Sequence, residues 1–297
     1  MDLLQLHYFR TVARFEHVTR AAEDLRVAQP ALSKSITRLE AELGVPLFDR
    51  RGRRIALNTC GRAFLPHVER VFMAIEDGRQ ELADLAGLAR GTVTVVATTL
   101  HALADLLSAF RDRYPEVNFR LSQASTAEMQ AWLISGEIDF CLGSAPIAGP
   151  ALRSVALLTE EILLAVPPRH RLAGRGCIPL GEVAAEPFIS AKRGYWSRDV
   201  TDEACRQAGF IPNIICEGDE PGALRSLVAA GLGVAFLPTS SRRAGTGPEV
   251  VWLHITEPVC QRTVSLVWRE DRYLSAAARQ FRQFAVEYFA SVPERLG

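Results

Sequence analysis

Residues able to do chemistry gather in two parts of this chain. The first is AAEDLRVAQPALSKSITRLE, residues 21 to 40, together with the arginine run RRGRR at 50–54. Gln29, Pro30, Ser33, Lys34, Thr37 and Arg38 lie among regularly spaced leucines, with Thr19 and Arg20 just upstream. Glutamine can hydrogen-bond an adenine edge, lysine or arginine a guanine, and serine or threonine either, so the set suits double-stranded DNA. Arg50, Arg51, Arg53 and Arg54 add four like charges around one glycine, a tip that an anionic backbone or a minor groove would neutralise. The second part is looser. Thr98, Thr99, Leu100, Ser125, Thr126, Ser144, Lys192, Arg193, Gly194 and Trp196 supply hydroxyls, free amides, cations and one aromatic, and suit a small organic anion.

Other chemistries lack their residues. The six histidines have no metal-ligand rhythm, the six cysteines form no C-x-x-C pair, and no G-x-S-x-G elbow, phosphate loop or dinucleotide fingerprint is present. No metal, no cofactor and no enzymatic activity are expected.

The elements follow from periodicity. Val18, Ala21, Ala22 and Leu25 repeat at helical spacing with Thr19 as an expected cap, and Leu32, Ile36, Leu39 and Leu43 form a second stripe that ends at Gly44. Pro30 cannot sit inside one continuous helix, but it fits the first turn of the second, with Gln29 as expected cap. Two helices joined by a tight turn make a helix-turn-helix, and the polar face of the second is the one that would enter a major groove. Leu47-Phe48 and Ile55-Ala56-Leu57 flank the arginines as a two-stranded wing. Net charge over the 297 residues is zero, yet residues 1–62 carry +4 and the remainder −4, which puts the nucleic-acid signal at the amino end.

From Thr59 to about Ala89 the pattern is one long helix, with Val68, Ile75 and Leu82 seven apart and Val71, Phe72 and Leu85 interleaved, a stripe suited to pairing with a second copy. Pro66 is expected to kink its first turns. After Gly91, strands and helices alternate twice over (TVTVVAT, VNFRLSQA, EIDFCLG; then ILLAVPP, FISA, NIICEG, VAFLP), which implies two mostly parallel α/β lobes. The expected division is a winged helix-turn-helix over 1–58, a linker or dimerisation helix over 59–89 and an effector domain over 90–297. Its first lobe takes about 91–161 and 267–297, its second about 162–266. Ligands of such sheets lie beyond the carboxyl ends of strands, which is where the second group of residues falls. The amino end carries no export signal and no apolar run is long enough to span a bilayer, so a cytoplasmic protein without a membrane partner is expected.

The stretch TRAAEDLRVAQPALSKSITRLEAELGVPLFDRRGRRIALNTCG resembles the amino-terminal domain of the LysR-type transcriptional regulators. It does so through Ala21-Ala22, Leu25, Gln29, Ser33, Leu39-Glu40, Leu43-Gly44-Val45, Leu47-Phe48, Arg50 and Gly61. GEIDFCLG, AVPPRHRLA and LVAAGLGVAFLP extend the likeness toward the carboxyl end. His17 and Asn58 depart from it, standing where that family usually has serine and threonine. The resemblance implies a periplasmic-binding-protein-like effector domain and linker helices that pair antiparallel. It also implies a homodimer or homotetramer on an interrupted inverted repeat, and contact with RNA polymerase. The expected function is regulation of transcription in response to a small anionic metabolite. The alternative is a thiol-based redox sensor of the same architecture, acting through Cys205 and Cys216.

Overall fold

The computed structural model describes residues 1–51, 54–86, 91–98, 103–149, 151–243 and 249–291, without the side chains of Arg50, Arg51, Arg54 and Arg243. The described chain divides into two compact units, Met1–Gln80 and Glu81–Gly297.

The first unit opens with α1 (Leu3–Phe15), which the apolar spacing downstream did not announce. Its signal is a capping box: Asp2 accepts from the Gln5 amide, and the Gln5 side chain accepts from the Asp2 amide. Helix α2 (Val18–Leu25) and helix α3 (Gln29–Leu43) follow, joined by a turn in which Arg26 is left-handed at φ 55°. The expected caps are corrected. His17, not Thr19, caps α2, its Nδ1 accepting from the Arg20 amide at 3.4 Å. Ala28 precedes α3 without any side-chain cap, so Gln29 is its first helical residue. Pro30 then falls in the first turn, where its missing N–H costs no intrahelical bond. Leu32, Ile36 and Leu39 are buried against Leu6, Phe9, Val12, Ala21 and Ala22.

Strands β1 (Phe48–Arg51) and β2 (Arg54–Leu57) pair antiparallel, Phe48 opposite Leu57, as the wing. Helix α4 (Thr59–Leu85) runs 27 residues, about 40 Å at 1.5 Å per residue, with Pro66 inside it. Asn58 caps it, accepting from the Gly61 amide at 2.9 Å while its own amide group donates to the Pro46 carbonyl. Both departures from the family pattern, His17 and Asn58, therefore still cap helices. The stripe on α4 divides. Val68 is buried and Phe72 is packed against the same core as α1 to α3, whereas Val71, Ile75, Leu82 and Leu85 stay exposed.

The second unit contains β3 (Thr92–Ala97), α5 (Ala104–Arg113), β4 (Asn118–Gln123), α6 (Thr126–Ser135), β5 (Phe140–Gly143) and the 15-residue β6 (Leu152–Val166). Then come β7 (Cys177–Ile178), a 3-10 turn (Leu180–Val183), β8 (Pro187–Ala191), α7 (Trp196–Gln207), β9 (Asn213–Gly218) and α8 (Pro221–Ala229). The chain closes with β10 (Ala235–Pro238), α9 (Ser240–Arg243), β11 (Val251–Ile255), β12 (Gln261–Arg269) and α10 (Ala276–Ala290). The main sheet runs β4-β3-β5-β12-β6-β11-β7, and β10 also pairs with β6.

Strands β3, β4 and β5 are mutually parallel, as are β8 with β9 and β7 with β11, but β12 is antiparallel to β5 and β6, and β10 and β11 are antiparallel to β6. The expected mostly parallel sheet is thus a mixed one. The cause is β6, which begins ten residues before the expected ILLAVPP. Its leading half pairs with β12 in the first lobe, and its trailing half carries β10 and β11 in the second. Each lobe has its own core: Phe110, Phe119, Phe140 and Phe281 meet at ring separations of 5.3–5.6 Å in the first, and Phe188, Leu164, Ile178 and Leu253 are buried in the second.

Gly61 is where the wing closes on α4: a Cβ there would stand 2.1 Å from the Leu47 carbonyl oxygen and 2.7 Å from a Leu57 methyl. Gly61→Ala is expected to destabilise the amino-terminal unit by about 1–3 kcal/mol through overpacking. A melting curve unchanged from the native protein would show instead that the hairpin yields freely.

Candidate functional site

On α3 the apolar stripe fixes which residues remain outside. Gln29, Pro30, Lys34, Thr37 and Arg38 are exposed and Ser33 is half-buried. The Gln29 amide nitrogen donates to Ser33 Oγ at 2.9 Å, Thr37 Oγ1 donates to the Ser33 carbonyl at 3.1 Å, and Arg38 Nε donates to Glu42 Oε1 at 3.1 Å. Gln29 and Ser33 are therefore held one helical turn apart with their remaining donor and acceptor capacity facing out. Arg38 is tied to Glu42, which also receives the amino terminus and Gln5, so it is less free than Lys34. Those partners hold the Glu42 carboxyl below its ordinary range, the amino-terminal hydrogen bond most of all. Thr19 and Arg20 are exposed at the start of α2. Of the expected wing arginines, Arg53 and the side chains of Arg50, Arg51 and Arg54 lie outside the described residues.

In the second unit a cavity of about 40 Å³ opens between the lobes. Thr98, at the end of β3, supplies the first lobe's wall; Ser190, Tyr195, Trp196, Phe236 and Arg262 are among those supplied from the second lobe and β12. Two expected residues, Thr98 and Trp196, line it. Thr99 and Leu100 lie outside the described residues.

The remaining expected residues stand around the cavity with their polar groups differently engaged. Ser125 caps α6: its Oγ donates to Glu128 Oε2 at 2.6 Å, which holds the Glu128 carboxyl below its ordinary range. Lys192 Nζ donates to Asp219 Oδ2 at 2.7 Å, raising the lysine and lowering the carboxyl through that hydrogen bond and its charge. Arg193 is exposed. Ser144 has a buried hydroxyl without a partner, away from the cavity lining. The backbones of Thr126 and Gly194 meet across the lobes, the Thr126 amide donating to the Gly194 carbonyl at 3.4 Å. A neighbouring tie was not foreseen: the Gln123 amide nitrogen donates to the carbonyls of Thr98, at 2.9 Å, and of Asp219, at 2.6 Å.

Ser190 and Arg262 escaped the sequence reading because they lie within β8 and β12 and that rule looks only beyond strand ends, whereas Tyr195 and Asp219 lie beyond the ends of β8 and β9 and were passed over. The one available signal was Arg262, a charge at an inward position of the alternating strand QRTVSLVWR. Arg262 is 6% exposed and pairs with the 3%-exposed Glu160, which also receives the Ser240 amide at 2.7 Å.

Residues 3–62 match the family model "Bacterial regulatory helix-turn-helix protein, lysR family", and residues 86–290 match the "LysR substrate binding domain". The chain belongs to the LysR family. It is 38% identical over 295 residues to the uncharacterized HTH-type transcriptional regulator YybE of Bacillus subtilis (strain 168), covering 98% of this chain and 100% of that one. It is 35% identical over 298 residues to the transcriptional dual regulator GltC of the same organism, covering 99% of each. Its fold is similar to that of full-length CbnR complexed with its target DNA, at a TM-score of 0.64 and 22% identity over 97% of this chain and 99% of that one.

This LysR-type protein is accordingly a DNA-binding transcriptional regulator with an effector-binding domain, from a family of regulators rather than enzymes. Among the described residues of this regulator, no group of three or more histidine, cysteine, aspartate or glutamate side chains could hold a metal ion, and no helix is long and apolar enough to cross a membrane.

The cysteines bear on the redox alternative. Burial pushes the Cys141 and Cys205 thiols up to about 12 and Cys260 to about 11, with negative charge from Asp202 adding to the effect at Cys205. At pH 8 a thiol of pKa near 12 is about one part in ten thousand thiolate, the reactive form. Iodoacetamide at about pH 8 is expected to modify the exposed Cys60 and Cys177 of the folded regulator and to leave Cys141, Cys205 and Cys260 until denaturant is added. Mass mapping that found Cys205 alkylated in the native protein would reopen the redox reading.

Proposed function

We propose that this regulator binds an interrupted inverted-repeat operator as a homodimer or homotetramer. In this reading α3 enters the major groove and the wing arginines lie on the backbone or minor groove. A small organic anion bound between the lobes of the effector domain changes the geometry of the assembly, and with it contact to RNA polymerase and the rate of transcription. The protein works in the cytoplasm, where its DNA is.

The observation that carries this reading is the polar face formed by the exposed Gln29 and Lys34 and the half-buried Ser33, fixed opposite the buried Leu32, Ile36 and Leu39. A helix buried on one side by three aliphatic residues has one orientation left, and its outward donors match base edges rather than solvent alone. The DNA in the solved CbnR complex and the dual regulation in GltC's name support the same reading. The exposed Val71, Ile75, Leu82 and Leu85 of α4 support pairing with a second copy, since apolar side chains left in water along a helix favour a partner. The cleft supports effector binding, because Thr98 reaches it from one lobe and Trp196 from the other, so a ligand touching both favours the closed arrangement. The thiol-switch alternative is not favoured, given the burial of Cys205.

Footprinting on the regulator's own promoter region is expected to show a protected palindrome with an unprotected centre. Gln29→Ala and Lys34→Ala should each weaken that site by about 1–3 kcal/mol, roughly 5- to 150-fold, while non-specific binding changes far less. Equal affinity of the native protein for promoter and scrambled duplexes at matched salt would overturn the reading.

A further inference from the structure

The groups whose sequence positions suggested an anion are mostly engaged at the rim: Lys192 with Asp219, Ser125 with Glu128, and the Gly194 carbonyl with the Thr126 amide. Two further donors lie deeper. Ser190, at 3% exposure, has an Oγ with no hydrogen-bond partner. Arg262 is paired with Glu160, Nε donating to Oε1 at 2.7 Å and the buried Nη2 standing 2.5 Å from that same oxygen, so two of its nitrogens share one carboxylate oxygen. Both residues line the cavity that also takes Thr98 from the first lobe, with Tyr195, Trp196 and Phe236 among its walls.

We propose that Ser190 Oγ and Arg262 Nη2 are the anchor for a carboxylate of the effector, at the floor of the cleft rather than at the Lys192 rim. This rests on the cleft being the effector site. A buried hydroxyl without an acceptor is costly until one arrives, and a carboxylate takes charge-assisted hydrogen bonds both from it and from a guanidinium already shared with Glu160. A site built on an unpaired hydroxyl beside a shared guanidinium rejects an analogue that cannot accept as strongly, which gives selectivity against the amide. The cavity's 40 Å³ matches a carboxylate head rather than a whole metabolite, so the body of the ligand extends past Thr98 and Trp196 toward the mouth.

The position of the anchor also gives it leverage. Arg262 and Glu160 are directly opposed on β12 and β6, the two strands that run between the lobes, and the register of that ribbon shifts between Val264 and Ser265. Glu160 further receives the Ser240 amide and hydroxyl, at 2.7 and 3.2 Å, where α9 begins. A carboxylate on Arg262 therefore shares the guanidinium with Glu160 on the inter-lobe ribbon itself, and what it gains there depends on how the ribbon is bent.

The test is calorimetry and thermal shift on the full chain with acetate and succinate, up to about 50 mM against chloride at equal ionic strength, and with acetamide and succinamide as neutral counterparts. At least one carboxylate should raise the melting temperature and its amide should not. Ser190→Ala should weaken that carboxylate about tenfold or more, and Arg262→Lys, which keeps the charge but loses Nη2, should do the same. Arg171→Gln, on an exposed ion pair with Glu186, should leave it unchanged. If Lys192→Gln weakens binding and Ser190→Ala does not, the floor anchor is wrong and the cleft stands. If binding survives Ser190→Ala, Arg262→Lys and Lys192→Gln alike, the ligand sits elsewhere and both readings fall. No response to either carboxylate overturns the anchor, while the operator footprint is judged separately.

Discussion

The effector domain depends on one strand pair. β6 and β12 lie antiparallel from Leu152 opposite Arg269 to Glu161 opposite Gln261, and that ribbon serves the sheets of both lobes. A strand that must pack in two lobes cannot follow the simple alternation of either. Its middle carries Thr159, Glu160 and Glu161, polar residues that look like a loop in the sequence and are strand in the fold. Burying Glu160 is tolerable only because Arg262 stands opposite and Ser240 donates from the side. Such a pair adds little net stability, since desolvating two ions offsets most of their attraction, yet removing either partner leaves a costly buried charge.

The cleft follows from that ribbon. The lobes are also tied by two hydrogen bonds at the mouth, from Gln123 to the Asp219 carbonyl and from Thr126 to the Gly194 carbonyl. Both use backbone acceptors, so they constrain spacing without setting charge. Charge is balanced at the rim by Lys192 with Asp219 and at the floor by Arg262 with Glu160. In the proposed reading, selectivity for a ligand falls to the donors that remain unused and to the aromatic walls, not to net charge.

In the amino-terminal unit the governing constraint is steric. Pro30 cannot continue a helix, and its placement in the first turn of α3 forces a turn in which Arg26 accepts a left-handed backbone. Once Leu32, Ile36 and Leu39 enter the core, Gln29, Lys34 and Thr37 have no freedom to do anything but face out. The caps show the tolerance of the design. An imidazole at His17 and an amide at Asn58 replace hydroxyls because an N-cap needs an acceptor of the right reach, not one residue type.

By itself the sequence determined the helix-turn-helix, the wing, the long α4 and the two α/β lobes. These rest on local spacing, proline geometry and apolar periodicity, which are properties of neighbours in the chain. It also separated a basic head from an acidic remainder inside a neutral total. Only the tertiary structure decided that Val68 and Phe72 pack inward while Val71 and Ile75 do not, that Lys192 is paired with Asp219, and that Ser190 and Arg262 share a cavity with Thr98. Those facts join residues tens to more than a hundred positions apart. No periodicity encodes which distant charge will meet which, because the pairing is set by how β6 and β12 carry the chain from one lobe to the other.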